Sequence, residues 1–358
     1  MRILFLVPYP TGESPSQRFR FEQYFDLLSK NEIAYRVSSF WGMRGWAILY
    51  QKGMIIEKTG WLIVGFLKRF VDLIRSTRYD LIFVHRECAP VGPPVFEYIL
   101  AKIFKKKIIY DFDDAIWLEN TSRENHFARW IKFHGKVKYI CRWSHAVSCG
   151  NEWLANYARQ YNSNAVVNPT TINTEDLHNP ERWPPVKKND RIVIGWTGTH
   201  STVDYLNEIF PTLESIQKKF PVTIRIISNK KPSINLTSVD FIPWNKATEI
   251  PDLLTFDIGV MPLTDNDWAR GKCGFKALQY MALGIPCIAS PVGINPVIID
   301  QGINGFLCSK PEEWEQTLEK LILDSPLRKK IGLAGRQKVV GHYSVSSNSS
   351  DFLLLTRL

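Results

Sequence analysis

The sequence predicts two α/β domains, each a mainly parallel sheet with helices on both faces. Three observations carry this. Short apolar runs alternate with amphipathic stretches along the chain, a rhythm that demands parallel strands covered on two sides. A proline-rich polar segment, residues 179–190, interrupts that rhythm once,. The rhythm then restarts, and 358 residues suit two domains at roughly 150 residues each,.

The elements follow in order. Ile3–Val7 reads as a first buried strand, and Phe21, Tyr24, Phe25 and Leu28 recur at helical spacing,. Strands are expected at Leu81–His85, Lys107–Phe112, Ala146–Cys149 and Ala165–Val167, with helical patterns at Val95–Phe104 and Glu152–Tyr161. After the interruption, Ile192–Trp196, Val222–Ile227, Asp240–Ile242, Ile258–Met261 and Pro286–Ala289 read as strands. Leu206–Phe220, Phe275–Leu283 and Pro311–Leu323 suit helices. The expected domains are 1–180 and 181–345, with 346–358 as a tail, read as a helix returning toward the first domain.

Composition is that of an ordinary globular chain, 45% hydrophobic and 22% charged,. The net charge of +10 is uneven: residues 1–167 hold 24 Lys and Arg against 15 Asp and Glu. A basic first half favours anionic or phosphorylated partners. No nucleic-acid motif accompanies it. The six cysteines lack C-x-x-C spacing and form no zinc-type cluster, so they read as reduced buried thiols and place the chain in the cytoplasm,. The apolar start reaches Pro8 too soon for a signal-peptide core,. The longest later apolar run, Trp61–Leu67, is far short of the roughly 20 residues of a membrane span,.

The block Arg270-Gly271-Lys272-Cys273-Gly274 runs from a strand into a helix. A helix amino terminus offers unpaired N–H groups and positive dipole character, which suit a diphosphate. Lys272, with Arg270 and Lys276, supplies cations, and Gly274 permits close approach of backbone,. The same pattern also serves a solvated loop before a core helix. Gly195–Thr202, with Gly198 and Thr199 at its centre, follows a strand and is not G-x-G-x-x-G, which argues against a dinucleotide,. Trp244 follows another strand end, where an aromatic can close the core,.

In the first half, Pro10–Arg20 follows strand one, with Gly12 giving room and Arg18 placed for an anion. His85 and Arg86 end one strand, and Asp113 and Asp114 follow the next. Strand carboxyl ends are where open α/β sheets bind ligands. A carboxylate at Asp113 could act as a base, and an Asp-rich helix cap fits the same residues. Asp111-Phe112-Asp113 matches D-x-D, read here as unrelated to metal. Residues 41–75 interleave tryptophans with lysines and arginines, a pattern suited to a membrane interface as well as to packed helices,.

Gln279-Tyr280-Met281-Ala282-Leu283-Gly284-Ile285-Pro286-Cys287-Ile288-Ala289, then Ser290–Gly293 and Gly302–Leu307, resemble the donor-binding segments of the GT-B glycosyltransferases of family 4, the glycosyl transferases group 1. The resemblance implies two Rossmann-like domains facing across a cleft. It implies a retaining, metal-independent transfer from a nucleotide-sugar, UDP or GDP type, to a glycan or lipid-linked acceptor. No cofactor is implied. On this reading Gly198, Thr199, Trp244, Arg270, Lys272, Gly274, Lys276 and Gln279 meet the donor. Gly12, Arg18, His85, Arg86, Asp113 and Asp114 line the acceptor side, and Asp113, Arg18 and Lys272 carry the chemistry. The chain departs from the family's E-x7-E pattern, with Gln279 at the second glutamate and Gly271 at the first. That departure admits a second reading, a non-catalytic nucleotide-sugar-binding protein. The enzyme would sit in the cytoplasm, at the inner face of the membrane if residues 41–75 touch it.

Overall fold

A computed structural model describes residues 1–49, 51, 53–119, 132–185, 191–199, 202–232 and 236–357. The contacts divide them into two units. The first comprises Met1–Thr170, Gly271–Cys273 and Ser349–Leu358, and the second Thr171–Arg270 and Gly274–Asn348. The division falls between Thr170 and Thr171, and the described part of segment 179–190 lies within the second unit.

Six strands build the first sheet: β1 (Arg2–Val7), β2 (Ala34–Ser39), β3 (Leu81–His85), β4 (Lys107–Phe112), β5 (Ala146–Cys149) and β6 (Ala165–Val167). They run parallel in the order β2-β1-β3-β4-β5-β6. The second sheet holds β7 (Ile192–Gly198), β8 (Val222–Ser228), β9 (Val239–Pro243), β10 (Ile258–Met261), β11 (Cys287–Ala289) and β12 (Phe306–Leu307). Its order is β12-β11-β10-β7-β8-β9, again parallel. Strand order reverses beside β1 in one sheet and beside β7 in the other, the arrangement of doubly wound folds. The predicted fold class is therefore observed twice.

The helices are α1 (Pro15–Arg18), α2 (Phe25–Lys30), α3 (Met43–Leu49), α4 (Ile55–Ser76), α5 (Val95–Tyr98), α6 (Lys136–Trp143) and α7 (Glu152–Arg159) in the first half. A π-helical turn, Ile99–Ile103, extends α5. Then come α8 (Phe210–Lys219), α9 (Glu249–Leu253), α10 (Asp267–Arg270), α11 (Phe275–Ala282), α12 (Asn295–Ile298), α13 (Pro311–Leu323), α14 (Ser325–His342) and α15 (Ser349–Arg357). α15 belongs to the first unit, where Phe352 stacks on Tyr24 with ring centroids 4.1 Å apart.

Two strands escape a reading by apolar runs. β2, Ala-Tyr-Arg-Val-Ser-Ser, is an edge strand whose only buried residue is Ser38, so it carries no apolar run. β12 is two residues long. The central strands are legible because Ile3–Val7 and Leu81–His85 are buried along their whole length. Phe5, Phe21 and Phe83 meet above this sheet at centroid distances of 4.9–5.4 Å. Apolar side chains of β7, β8 and β10 with Leu213, Ile216, Leu318 and Leu321 form the second core.

The tryptophans of residues 41–75 pack inward. Trp41 is buried, Trp46 lies 4.6 Å from Tyr9, and Trp61 covers Gly42 and Gly45. Gly65 is fixed by a close approach. A Cβ there would lie 2.4 Å from the Phe40 ring, itself 1% exposed. Gly65→Ala gains about 1 kcal/mol of helix propensity but forces an overpacked contact costing about 1–3 kcal/mol. The variant is expected to unfold at lower urea than the parent. A higher midpoint would show that Phe40 can yield.

Candidate functional site

In the first unit, functional side chains gather where β1, β3, β4 and β5 end. A buried polar network organises them. The Arg20 guanidinium pairs with both Asp111 carboxylate oxygens, donates to the Asn168 carbonyl, and reaches Ser148 Oγ at 3.2 Å. Asp111 also accepts from Ser148 Oγ at 2.6 Å and meets His85 Nδ1 at 2.8 Å. All four side chains are buried. Burial pushes the Asp111 carboxyl up, but Arg20 and His85 outweigh it and hold the carboxyl far below the usual range,. His85, expected on the acceptor side, is completely buried, and its Nδ1 meets Asp111.

This network anchors the loop after β1. Gln17 exchanges hydrogen bonds with the Tyr9 backbone, and the Gly12 N–H donates to Glu22 Oε2 at 2.8 Å. Gly12 adopts φ +82°, the left-handed region that glycine tolerates,. Arg18 is half-buried at the end of α1, its guanidinium 4.9 Å from the Phe19 ring centroid.

A second cluster is partly open. Arg86 donates to Asp113 Oδ1 at 2.9 and 2.7 Å and to Asp114 Oδ2 at 2.7 Å. Lys272 Nζ lies 3.8 Å from Asp114 Oδ1. Two cations thus face two carboxylates, with side-chain exposures of 13–23%. Arg86 has φ +59°, a strained conformation for a non-glycine residue that costs of order 1–3 kcal/mol,. Its N–H donates to the Asp111 carbonyl at 2.7 Å, and its own carbonyl accepts from Tyr110 at 2.7 Å. Both carboxylates of D-x-D are therefore held by arginines, Asp111 by Arg20 and Asp113 by Arg86. Gly271–Cys273 counts with this unit. Cys273 Sγ donates to the Asp113 carbonyl at 3.1 Å, and Asn151 Nδ2 donates to the Lys272 carbonyl at 3.0 Å.

All six cysteines are free and buried, and burial raises the thiols, that of Cys308 to about 11.

In the second unit, Gly198 ends β7 and Thr199 is exposed just beyond it. A Cβ at Gly198 would lie 2.6 Å from the Trp196 ring. Trp244, half-buried, follows β9 and donates its N–H to the Ser228 carbonyl at 2.9 Å. α11 starts from Gly274 at φ +70°, where a Cβ would lie 2.3 Å from Ile298. Glycine offers no capping side chain, and the helix amino terminus carries positive dipole character,. Lys276 Nζ sits 5.6 Å from the Trp196 ring centroid. Arg270 is exposed and paired with Asp265 at 2.8 Å.

Gln279 is 2% exposed. Its Nε2 lies 3.3 Å from His178 Nε2 and 3.5 Å from Glu249 Oε1, and both neighbours are buried. Sequence reasoning missed Glu249 and His178, which stand 30 and 101 residues away, and Arg20 in the first unit. Only Arg20 left a signal, a cation between Phe19 and Phe21, both core residues. Glu249 gives a physical reason for an amide at 279. Gln279→Glu would bring a second carboxylate to within 3.5 Å of a buried first one. The variant is expected to lose about 1–3 kcal/mol at neutral pH. One of the two carboxyls would have a raised folded pKa, so the deficit shrinks as pH falls into the carboxyl range. Equal urea midpoints for parent and variant at pH 7 would refute this.

Two doubly wound parallel-sheet units define the GT-B fold. A Rickettsia africae glycosyltransferase structure aligns over 99% of this chain and 97% of its own, with a TM-score of 0.70 at 14% identity. A structure of Anabaena HepE in complex with UDP-glucose aligns over the whole of both chains at TM-score 0.66 and 14% identity. Sucrose-phosphate synthase from Thermosynechococcus elongatus gives TM-score 0.67 at 12% identity, over 100% of this chain and 98% of its own. Residues 191–324 match the family model for glycosyl transferases group 1, so the chain carries a group 1 glycosyltransferase domain there. Among curated relatives, Bacillus subtilis spore coat protein SA is 28% identical over 109 residues, 29% of this chain and 28% of that protein. Corynebacterium jeikeium D-inositol 3-phosphate glycosyltransferase is 38% identical over 61 residues, 16% of this chain and 15% of that protein.

Proposed function

We propose that this chain is a family 4 glycosyltransferase. It moves a sugar from a nucleoside-diphosphate donor to a glycan or lipid-linked acceptor, with retention of configuration and without a metal ion. The observation that carries the reading is the group 1 match over residues 191–324, the stretch that holds Gly198–Thr199 and the glycine-started helix α11. The crystallised UDP-glucose complex of the Anabaena relative supports a nucleotide-sugar donor.

Chemically, the leaving diphosphate gains negative charge as the glycosidic bond breaks. Fixed N–H groups and cations at that place lower the barrier. In the second unit the α11 amino terminus and Lys276 supply both, and in the first Lys272 supplies a cation. Gln279 and Glu249 present an amide and a carboxylate that suit a ribose diol. Arg86, Asp113 and Asp114 receive the acceptor, and Asp113 orients its hydroxyl. A thermal-shift screen with UDP-, GDP- and ADP-sugars tests the first half of this, because a ligand bound to the native state raises stability. Nucleotide release with candidate acceptors tests the second. Binding without release across the acceptors would instead favour a sugar-nucleotide-binding protein, the reading that Gly271 and Gln279 motivate. No stabilisation by any donor would sink both.

A further inference from the structure

Helix α4 wears its polarity inside out. Its buried side carries Gly65, Arg69, Asp72, Leu73 and Ser76. Arg69 Nη1 pairs with Asp72 Oδ2 at 2.9 Å, Nη2 donates to the Val7 carbonyl at 2.7 Å, and Nε donates to the Cys88 carbonyl at 2.7 Å. Ser38 Oγ donates to Asp72 Oδ2 at 2.6 Å. These bonds fix the rotation of the helix about its axis. The outward side is then apolar at helical spacing: Ile56 is 89% exposed, Ile63 55%, Leu67 59%, Phe70 54% and Ile74 73%. A surface helix normally shows charged residues there. So many large apolar groups left in water on one face mark an interaction surface.

The face continues sideways. Phe70 packs on Phe96 of α5 at a centroid distance of 5.3 Å, and the turn that extends α5 leaves Ile103 60% exposed. Lys102, Lys105 and Lys107 stand exposed around it. Residues 41–107 hold twelve Lys and Arg against five Asp and Glu; Arg69, Asp72 and Glu97 among them are buried, which leaves eleven bases against three acids. Charge therefore selects the occupant. A second copy of the chain would bring the same cationic border against itself, whereas an anionic bilayer offers phosphates to the border and hydrocarbon to the stripe. No helix among the described residues is long and apolar enough to cross a membrane.

We propose that the α4–α5 face lies on the surface of an anionic membrane. Ile63, Leu67 and Ile74 enter the acyl boundary, and Arg75, Lys102 and Lys105 meet lipid phosphates. This goes beyond sugar transfer and does not rest on it.

Co-sedimentation with vesicles, in the absence of any sugar nucleotide, tests it. The protein is expected to bind phosphatidylcholine vesicles containing phosphatidylglycerol, to release as salt rises, and to ignore vesicles of phosphatidylcholine alone. Leu67→Glu and Ile74→Glu alter exposed positions, and unchanged urea midpoints would confirm that they fold. Each is expected to lower partitioning at least about tenfold, the loss of one buried apolar side chain plus a repelled charge. Lys102→Gln and Lys105→Gln should each lower it about fivefold, one basic contact apiece. Equal binding to both vesicle types, binding to neither, or unchanged partitioning of Leu67→Glu would overturn the proposal. So would a parent that is dimeric in solution and becomes monomeric on Leu67→Glu, since that assigns the face to a second copy. Because no donor is present, failure here leaves the transferase reading standing.

Discussion

Asp111→Ala is expected to destabilise the first unit by about 3–5 kcal/mol, the cost of leaving a buried guanidinium without its partner. Arg20 is 1% exposed, and its hydrogen-bonding partners come from three places in the chain. Asp111 ends β4, Ser148 lies in β5, Asn168 follows β6, and His85 joins through Asp111 from the end of β3. Removing the carboxylate strips the charge partner while the guanidinium stays too deep to regain water. Replacing both charges together, Arg20→Met with Asp111→Leu, should cost far less than the single change. A double-mutant cycle by urea denaturation reads this directly, the coupling being the shortfall from additivity. Additive losses would mean that the guanidinium finds water when the pair is broken.

The same pair sets an acid dependence. The folded Asp111 carboxyl binds protons more weakly than the unfolded one, because Arg20 and His85 favour its charged form over the opposing effect of burial. Its contribution is therefore complete above the unfolded value of about 3.9 and declines as pH falls below it. The stability gap between parent and Asp111→Ala should stay flat from neutral pH to about 5 and close in stronger acid.

What the sequence showed of this fold, and what it hid, follow from range. The central strands were readable because burial on both faces writes an uninterrupted apolar run such as Ile3–Val7. The edge strand β2 writes none. Site residues at strand ends, Arg86 and Asp113–Asp114, were readable from the geometry of parallel sheets, and the structure brings them within hydrogen-bonding distance. Partners were not readable. Nothing local marks Glu249 as the neighbour of Gln279, since a carboxylate in a polar stretch resembles any surface acid until the fold buries it. Arg18 and Arg20 make the same point at short range. They differ in sequence by one phenylalanine, yet one is half-buried beside the Phe19 ring and the other anchors three strands. The tryptophans of residues 41–75 pack inward, and the exposed apolar side chains lie on α4 instead.

Lys272→Ala is expected to lower kcat by about 10²–10³-fold with little change in KM, the size of effect seen when one fixed donor to a developing oxyanion is removed. The lysine is 15% exposed and held on both sides of its backbone. Asn151 Nδ2 binds its carbonyl at 3.0 Å, and Cys273, the next residue, donates its Sγ hydrogen to the Asp113 carbonyl at 3.1 Å. Its ammonium is therefore placed before any ligand arrives, 3.8 Å from Asp114 Oδ1. A diphosphate carries more charge than Asp114 and competes with that carboxylate for the ammonium. Lys272→Arg keeps the charge but not the compact, rotatable ammonium, and should retain part of the rate. Nucleotide release under saturating donor separates the outcomes. A fall in KM-controlled rate alone would make Lys272 a binding residue for the ground state. An unchanged kcat would remove it from the chemistry and leave the charge of the leaving group to the amino terminus of α11.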